Sequence, residues 1–371
     1  MARTSIASAK RIVIKIGSSS LTGSAGSALD PTAVEKIVEI VAAAKARGAE
    51  VLVVSSGAIA AGLAPLGLVA RPKDLATQQA AASVGQGLLI HRYTESFAQR
   101  SITASQVLIT TEDIVRRVHY QNVQRTLFKL LQLGVVPIIN ENDSVGTQEI
   151  RFGDNDRLAA LVALLIDADL LVLVSDIDAL YDAPPNQAGA KAISEVADFA
   201  EIAAIEVGGA GSAGVGSGGM VTKIEAARIA TGAGISMLLT SLAQAEQSIA
   251  GAELGTLFHG HERKTTSRLL WLAHAATPQG KLILDAGAVK AICERGTSLL
   301  PAGVTAVEGT FIAGDTVELV GPDSKVIARG LVAFDATELP VMLGRSTKEL
   351  AAALGPEYER ELVHRDDLVL L

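Results

Sequence analysis

The chain has 371 residues, of which 49% are hydrophobic, 19% charged and only 3% aromatic, with one cysteine and a formal net charge of -8. That length exceeds what one core usually supports, and an aliphatic, aromatic-poor composition suits helices packed on a buried parallel sheet. The negative charge argues against a general binder of nucleic acid or anionic membrane, and the lone Cys293 excludes an internal disulfide or a thiolate metal site, as expected in a reducing cytoplasm.

Met1 to Arg11 lacks an apolar signal-peptide core, and Pro65, Asp167 and Asp169 interrupt the apolar runs elsewhere, so neither a leader nor a membrane span is expected. The first predicted strand, Ile12 to Ile16, carries Lys15 and runs into Gly17-Ser18-Ser19-Ser20. A lysine inside an apolar run is costly unless its ammonium meets an anion, although an edge-strand lysine can also reach water along its stem. After the helical pattern Thr32 to Arg47, strand Glu50 to Val54 ends in Ser55-Ser56-Gly57. Such a turn can present a hydroxyl and helix-start amides to an anion, or simply cap the next helix.

The helical stretches Thr77 to Arg100 and Asn122 to Leu133 lead to strand Val135 to Ile139 and the cluster Asn140-Glu141-Asn142-Asp143. Two carboxylates and two amides there suit a substrate ammonium group, or form a solvated loop. Gly153-Asp154-Asn155-Asp156 precedes the apolar helix Arg157 to Ile166. Asp154 or Asn155 can cap that helix; alternatively Asp156 holds two lysines while Asn155 touches substrate. Strand Leu170 to Val174 closes on Ser175-Asp176, again polar at its carboxyl end.

The glycine run Gly208 to Gly219 ends in Ser217-Gly218-Gly219-Met220-Val221-Thr222-Lys223 and enters a helical pattern, before a strand at Ile235 to Leu239. Bare amides, a helix N-terminus and a lysine make a polyphosphate cradle, unless the run is a flexible linker. Gly209 to Gly214 matches the dinucleotide fingerprint, but no strand precedes it and no acidic residue closes the next strand, so the match is accidental; the Walker pattern is absent. From about Thr277, short strand candidates at Lys281 to Leu284, Val317 to Val320, Val326 to Ala328 and Leu331 to Ala333 alternate with glycines, indicating a small, mostly β domain.

Strands separated by helices imply a parallel sheet with ligand chemistry at the strands' carboxyl ends, where these polar residues converge. Histidine is scarce near them, as suits phosphoryl transfer to a carboxylate, a nucleophile already ionised at neutral pH. In these residues the chain resembles the glutamate 5-kinase family of the amino acid kinase fold, through Val13 to Ser19, Ser56 to Gly62, Ile139 to Asp143 with Gly153 to Asp156, and Gly218 to Lys223. Its tail resembles a PUA domain, through Asp285 to Ala288, Arg295 to Pro301 and Gly314 to Val317.

The resemblance implies an α/β amino acid kinase fold, an open, mainly parallel sheet sandwiched by helices, over residues 1–262, a linker at 263–278 and a mostly-β PUA domain at 279–371. It implies transfer of the ATP γ-phosphoryl group to the side-chain carboxylate of L-glutamate. Lys15 and Lys223 would stabilise the transferring group, with Asp156 orienting them. Ser56, Gly57, Asp143 and Asn155 would hold glutamate. Lys15, Gly17, Ser18, Ser175, Asp176, Ser217, Gly218, Gly219, Met220, Val221, Thr222 and Lys223 would hold ATP. Magnesium would ride on the phosphates without direct protein ligands. A homo-oligomer, feedback inhibition by proline and a pathway partner, glutamyl phosphate reductase, are implied as well. Ala159 stands where the family pattern has serine, and Ser217 where threonine is common. PUA domains elsewhere bind RNA, but Thr277 to Leu371 has nine Lys or Arg and fourteen Asp or Glu, a net of -5 (9 minus 14), so no nucleic-acid partner is expected.

Overall fold

The computed structural model describes residues 3–22, 28–110, 113–114, 117–145, 155–185, 187, 189–202, 219–260 and 278–371. They fall into two units, the first holding the described residues up to 113 and from 119 to 260, the second holding 114, 117–118 and 278–371. The linker expected at 263–278 lies, except for Pro278, outside the described residues.

In the first unit the strands are β1 (Arg11–Ile16), β2 (Glu50–Ser55), β3 (Ala104–Ile109), β4 (Val136–Glu141), β5 (Leu170–Ser175), β6 (Leu180–Tyr181), β7 (Ala192–Ile193), β8 (Glu195–Val196), β9 (Ser236–Ser241) and β10 (Thr256–Phe258). The helices are α1 (Thr4–Ala7), α2 (Ser18–Leu21), α3 (Pro31–Ala46), α4 (Ala58–Leu63), α5 (Leu75–Ala98), α6 (Arg117–Gln132), α7 (Asn155–Leu165), α8 (Met220–Gly232) and α9 (Ala245–Ile249). Eight strands form one sheet in the order β3-β4-β2-β1-β5-β9-β10-β8, and β6 and β7 make a small separate ribbon. From β3 to β9 every pairing is parallel, as crossover helices require; β10 runs antiparallel to β9. After β1 the chain lays β2 beside it, goes on to the edge strand β3, steps back to insert β4 between β3 and β2, and then lays β5 on the other side of β1. The sheet therefore switches winding direction between β1 and β5, and in open α/β sheets ligands bind at the carboxyl ends beside such a switch.

Strand alternation decides which side chains meet there. Ile12, Ile14 and Ile16 of β1 join the core shared with Val34, Ile37 and Val41 of α3 and Leu89, Tyr93 and Phe97 of α5. The intervening residues, Val13 and Lys15, take the opposite face, where α7 packs on β1 and β5 and against α8. Strand β3 was missed by the sequence reading because it lies at the sheet edge, half exposed, and needs no continuous apolar run. The short β8 and β10 escaped for want of length.

Helices α4 and α5 touch backbone to backbone. A Cβ on Gly62 would lie 1.9 Å from the Ala81 carbonyl oxygen, and one on Gly85 1.8 Å from that of Ala58. Gly85→Ala gains up to ~1 kcal/mol of helix propensity, but the clash is with backbone, which cannot rotate away. We expect a net destabilisation of about 1–3 kcal/mol, seen as a lower urea midpoint; an unchanged or raised midpoint would show that the crossing relaxes.

The second unit is a five-stranded sheet, in the order β12-β11-β13-β14-β15, formed by β11 (Gly280–Leu284), β12 (Val304–Gly309), β13 (Thr316–Val320), β14 (Val326–Leu331) and β15 (Leu368–Leu370). Helices α10 (Ala286–Arg295) and α11 (Thr347–Leu354) accompany it, and Leu282, Val317, Leu319, Met342 and Leu350 share its core. Two short strands expected on either side of Gly330 are one strand, β14. Gly330 sits inside it because a Cβ there would fall 2.3 Å from Val363 Cγ1; the glycine marks a close approach and not a turn. Gly287 likewise lies within α10, a helix capped by the Asp285 side chain, rather than between strands.

Candidate active site

Lys15 enters the site as the fifth residue of β1, flanked in register by Val54 of β2 and Leu173 of β5. Its Nζ lies 2.5 Å from Asp156 Oδ1. Lys223, in the first turn of α8, sets its Nζ 3.2 Å from Oδ2 of the same carboxylate. Asp156 is fully buried, and the two lysines are only 5% and 7% exposed. The Thr222 hydroxyl also stands 3.2 Å from Asp156 Oδ2 and 2.7 Å from the Gly219 carbonyl.

Burial pushes the Asp156 carboxyl upward, but the two ammonium groups outweigh it and hold its pKa down at about 2. Asp156 is therefore an ionised carboxylate at neutral pH, gripped by two ammonium groups. Two buried ammonium groups held this close together suit an anionic ligand. Lys223 breaks a local rule too, because a cation in the first turn of a helix opposes the helix dipole. The rule and the dipole are both satisfied if an anion binds between the helix end and the lysines.

The helix starts at this edge are prepared for that. Four other helices are capped by side chains, namely Asp30 on α3, Asp74 on α5, Asp285 on α10 and Ser346 on α11. Those after Gly17, Gly57 and Gly219 start on glycine with no side-chain cap, leaving first-turn amides for another acceptor. Gly57 has φ +96, a left-handed conformation that side chains disfavour, with Leu21 and Leu29 packed against it. Among the described residues nothing lies within 4 Å of where a side chain on Gly219 would begin.

Next to the charged cluster runs a chain of amides. Asn155, the first residue of α7, donates through Nδ2 to Ser56 Oγ at 2.8 Å, to the Ser55 carbonyl at 3.1 Å and to Asn140 Oδ1 at 3.1 Å. Asn140 in turn donates through Nδ2 to Gln86 Oε1 at 2.9 Å. The sequence reading assigned no role to Gln86, and it placed Asn140 only within a polar cluster. A signal was present: Gln86 falls on the stripe of α5 that buries Ala82, Leu89 and Tyr93, where the helical period calls for an apolar residue.

Lys15, Asp156, Lys223 and Thr222 thus form one group, and Ser56 with Asn155 a second, joined where Asn155 and Asp156 are neighbours. Ser18 opens α2 just after Gly17, whose amide bonds the Val174 carbonyl. Ser175 ends β5 and Asp176 follows it, the serine hydroxyl donating to the Asp176 carboxylate at 2.9 Å. Gly219, Met220 and Val221 form the start of α8, with Val221 exposed. Asp143 occupies the turn after β4. Ser217, Gly218 and the fingerprint-like run Gly209 to Gly214 lie outside the described residues. Among the described residues no group of three His, Cys, Asp or Glu side chains could hold a metal ion, and no helix is long and apolar enough to cross a membrane.

Comparison with known proteins adds to this geometry. Residues 10–241 match the model of the amino acid kinase family and residues 280–354 that of the PUA domain. The glutamate 5-kinase of Streptomyces coelicolor is 58% identical over 370 residues, covering 100% of this chain and 99% of that protein. That of Streptomyces avermitilis is 60% identical over 371 residues, and that of Salinispora arenicola 59% over 369, with 100% of this chain covered in both cases and 99% and 100% of those proteins. A solved carbamate kinase from Giardia lamblia, bound to AMP-PNP, shares the fold over 69% of this chain and 100% of its own, with a TM-score of 0.50 and 19% identity.

Proposed function

The chain belongs to the amino acid kinase family, among its glutamate 5-kinases, and from that membership we propose how its residues carry the reaction. The protein phosphorylates the side-chain carboxylate of L-glutamate with ATP, giving L-glutamyl 5-phosphate, the first step of proline biosynthesis. The observation that carries the mechanistic reading is the buried Lys15–Asp156–Lys223 cluster, in which two ammonium groups meet on one carboxylate.

A carboxylate acceptor is ionised at neutral pH, so no base is needed to create the nucleophile. What remains is to bring two anions together and to neutralise charge on the transferring group. Lys15 and Lys223 supply that charge, and Asp156 fixes both ammonium groups at one point. Ser56, Gly57, Asp143 and Asn155 hold glutamate. Gly17, Ser18, Ser175, Asp176 and the stretch Ser217 to Lys223 hold ATP, with the uncapped first turn of α8 directed to its phosphates. A magnesium ion carried on those phosphates supplies further charge neutralisation. Asp156 is not offered to it, since both carboxylate oxygens already face ammonium groups.

We also propose the division into a kinase domain at 1–262, a linker at 263–278 and a PUA domain at 279–371; the two family matches fall inside the first and third. An acyl phosphate hydrolyses readily, which favours prompt hand-over to glutamyl phosphate reductase. Proline feedback, a homo-oligomer and a cytoplasmic location belong to the same proposal.

Purified protein with ATP, magnesium and hydroxylamine, offered glutamate, aspartate, N-acetylglutamate or carbamate in turn, tests the reaction. Glutamate-dependent hydroxamate is expected. Its absence, or a preference for another acceptor, would overturn the assignment.

A further inference from the structure

The polarity of the amide chain is forced by two backbone groups. The Glu141 N–H, which can only donate, lies 2.9 Å from the Asn140 side chain, so the atom there is Oδ1. Asn140 Nδ2 must then face Gln86, and the Gln86 atom it meets must be Oε1. The Ser55 carbonyl, which can only accept, faces Asn155, so that atom is Nδ2. Rotating any of the three amides by half a turn would set donor against donor or acceptor against acceptor.

Two consequences reach the substrate side. Asn155 Nδ2 spends both hydrogens on three acceptors, which leaves Asn155 Oδ1, a pure acceptor, without a partner among the described residues. Ser56 Oγ accepts from Asn155 and so keeps its own hydrogen to give. An ammonium group has hydrogens for the first atom, and a carboxylate accepts from the second. A substrate bearing both on one carbon satisfies the pair.

Gln86 anchors the far end. It is 8% exposed, on an otherwise apolar stripe, and its Nε2 is buried with no hydrogen-bond partner among the described residues. Leaving a buried donor unpaired is unfavourable, so the residue is kept for its carbonyl. An apolar side chain there would leave Asn140 Nδ2 unmatched and let the chain of amides rotate.

We infer that Gln86 is a positioning residue which, through Asn140, fixes the Asn155 amide with its carbonyl oxygen toward the substrate ammonium, and so selects an amino acid over the diacid lacking that group. The inference rests on the reading that Ser56 and Asn155 hold the acceptor glutamate.

The test compares wild type, Gln86→Met, which has similar length and no acceptor, and Gln86→Glu, which retains an oxygen opposite Asn140 Nδ2. A site built to bond a substrate N–H discriminates against the analogue lacking it by about 10⁴-fold, so wild type should favour glutamate over glutarate to that extent in kcat/KM. In Gln86→Met that preference should fall about 10- to 100-fold through a higher glutamate KM, with the ATP KM within about twofold, and Gln86→Glu should recover most of it. A folded Gln86→Met, or Gln86→Leu should Met not fold, that keeps the preference would overturn the inference, as would a loss that Gln86→Glu fails to reverse. Solvent exchange of the Asn155 side-chain amide protons, followed by NMR without substrate, separates the two readings. Faster exchange in Gln86→Met is expected whatever the acceptor proves to be, and unchanged exchange would overturn the relay even if glutamate is the substrate.

Discussion

Lys223→Ala is expected to lower kcat by about 10³- to 10⁵-fold, and Lys15→Ala to do the same, by analogy with charge-stabilising residues in other phosphoryl transfers. Either change removes one of the two ammonium groups gathered at Asp156, so the transferring group meets one cation fewer. The remaining lysine still pairs with Asp156, at 2.5 Å for Lys15 or 3.2 Å for Lys223. No charge is then left isolated in the core, and stability should suffer far less than turnover. The pattern to look for is a collapse of kcat with a thermal midpoint lowered by a few degrees at most. Near-normal turnover in either variant would remove that lysine from the chemistry.

How much of this was legible in the sequence depends on the range of the forces involved. The central strands announce themselves as apolar runs because they are buried on both faces, whereas β3 and β8, at the edges, do not. Lys15 was readable as an anomaly, a charge inside such a run, and Lys223 as the end of a glycine-rich approach to a helix. That both grip a single carboxylate stood at the sequence level as an alternative to helix capping by Asp154 or Asn155, and spacing could not decide between them. It depends on β1 presenting Lys15 to the face that α7 and α8 cover, a consequence of strand order and alternation together. Gln86 left a weaker signal, a polar residue on the buried stripe of a helix with many other polar residues, and its partner Asn140 lies 54 positions away in the chain.

Asp156→Asn should show the other side of the charge balance. It leaves two ammonium groups facing each other in a nearly buried site, with a neutral amide where the carboxylate stood. We expect about 2–4 kcal/mol of lost stability at pH 7 and a turnover loss comparable to that of the lysine variants, because the ammonium groups are no longer held at one point. The pH dependence tests the cause. The Asp156 pKa is lowered on folding, from 3.8 to about 2, so the carboxylate stabilises the protein fully above about pH 4 and loses that contribution as pH falls through the folded value. The advantage of wild type over Asp156→Asn in urea denaturation should therefore be constant above pH 4, fall to roughly half near pH 3 and vanish toward pH 2. A gap that stays constant down to pH 3 would mean that packing, and not charge, holds the cluster together. Adding Lys223→Met to Asp156→Asn supplies a second check. Removing one of the two repelling ammonium groups should restore part of the stability while leaving turnover as low as before, a non-additivity expected only if the three side chains act as one electrostatic unit.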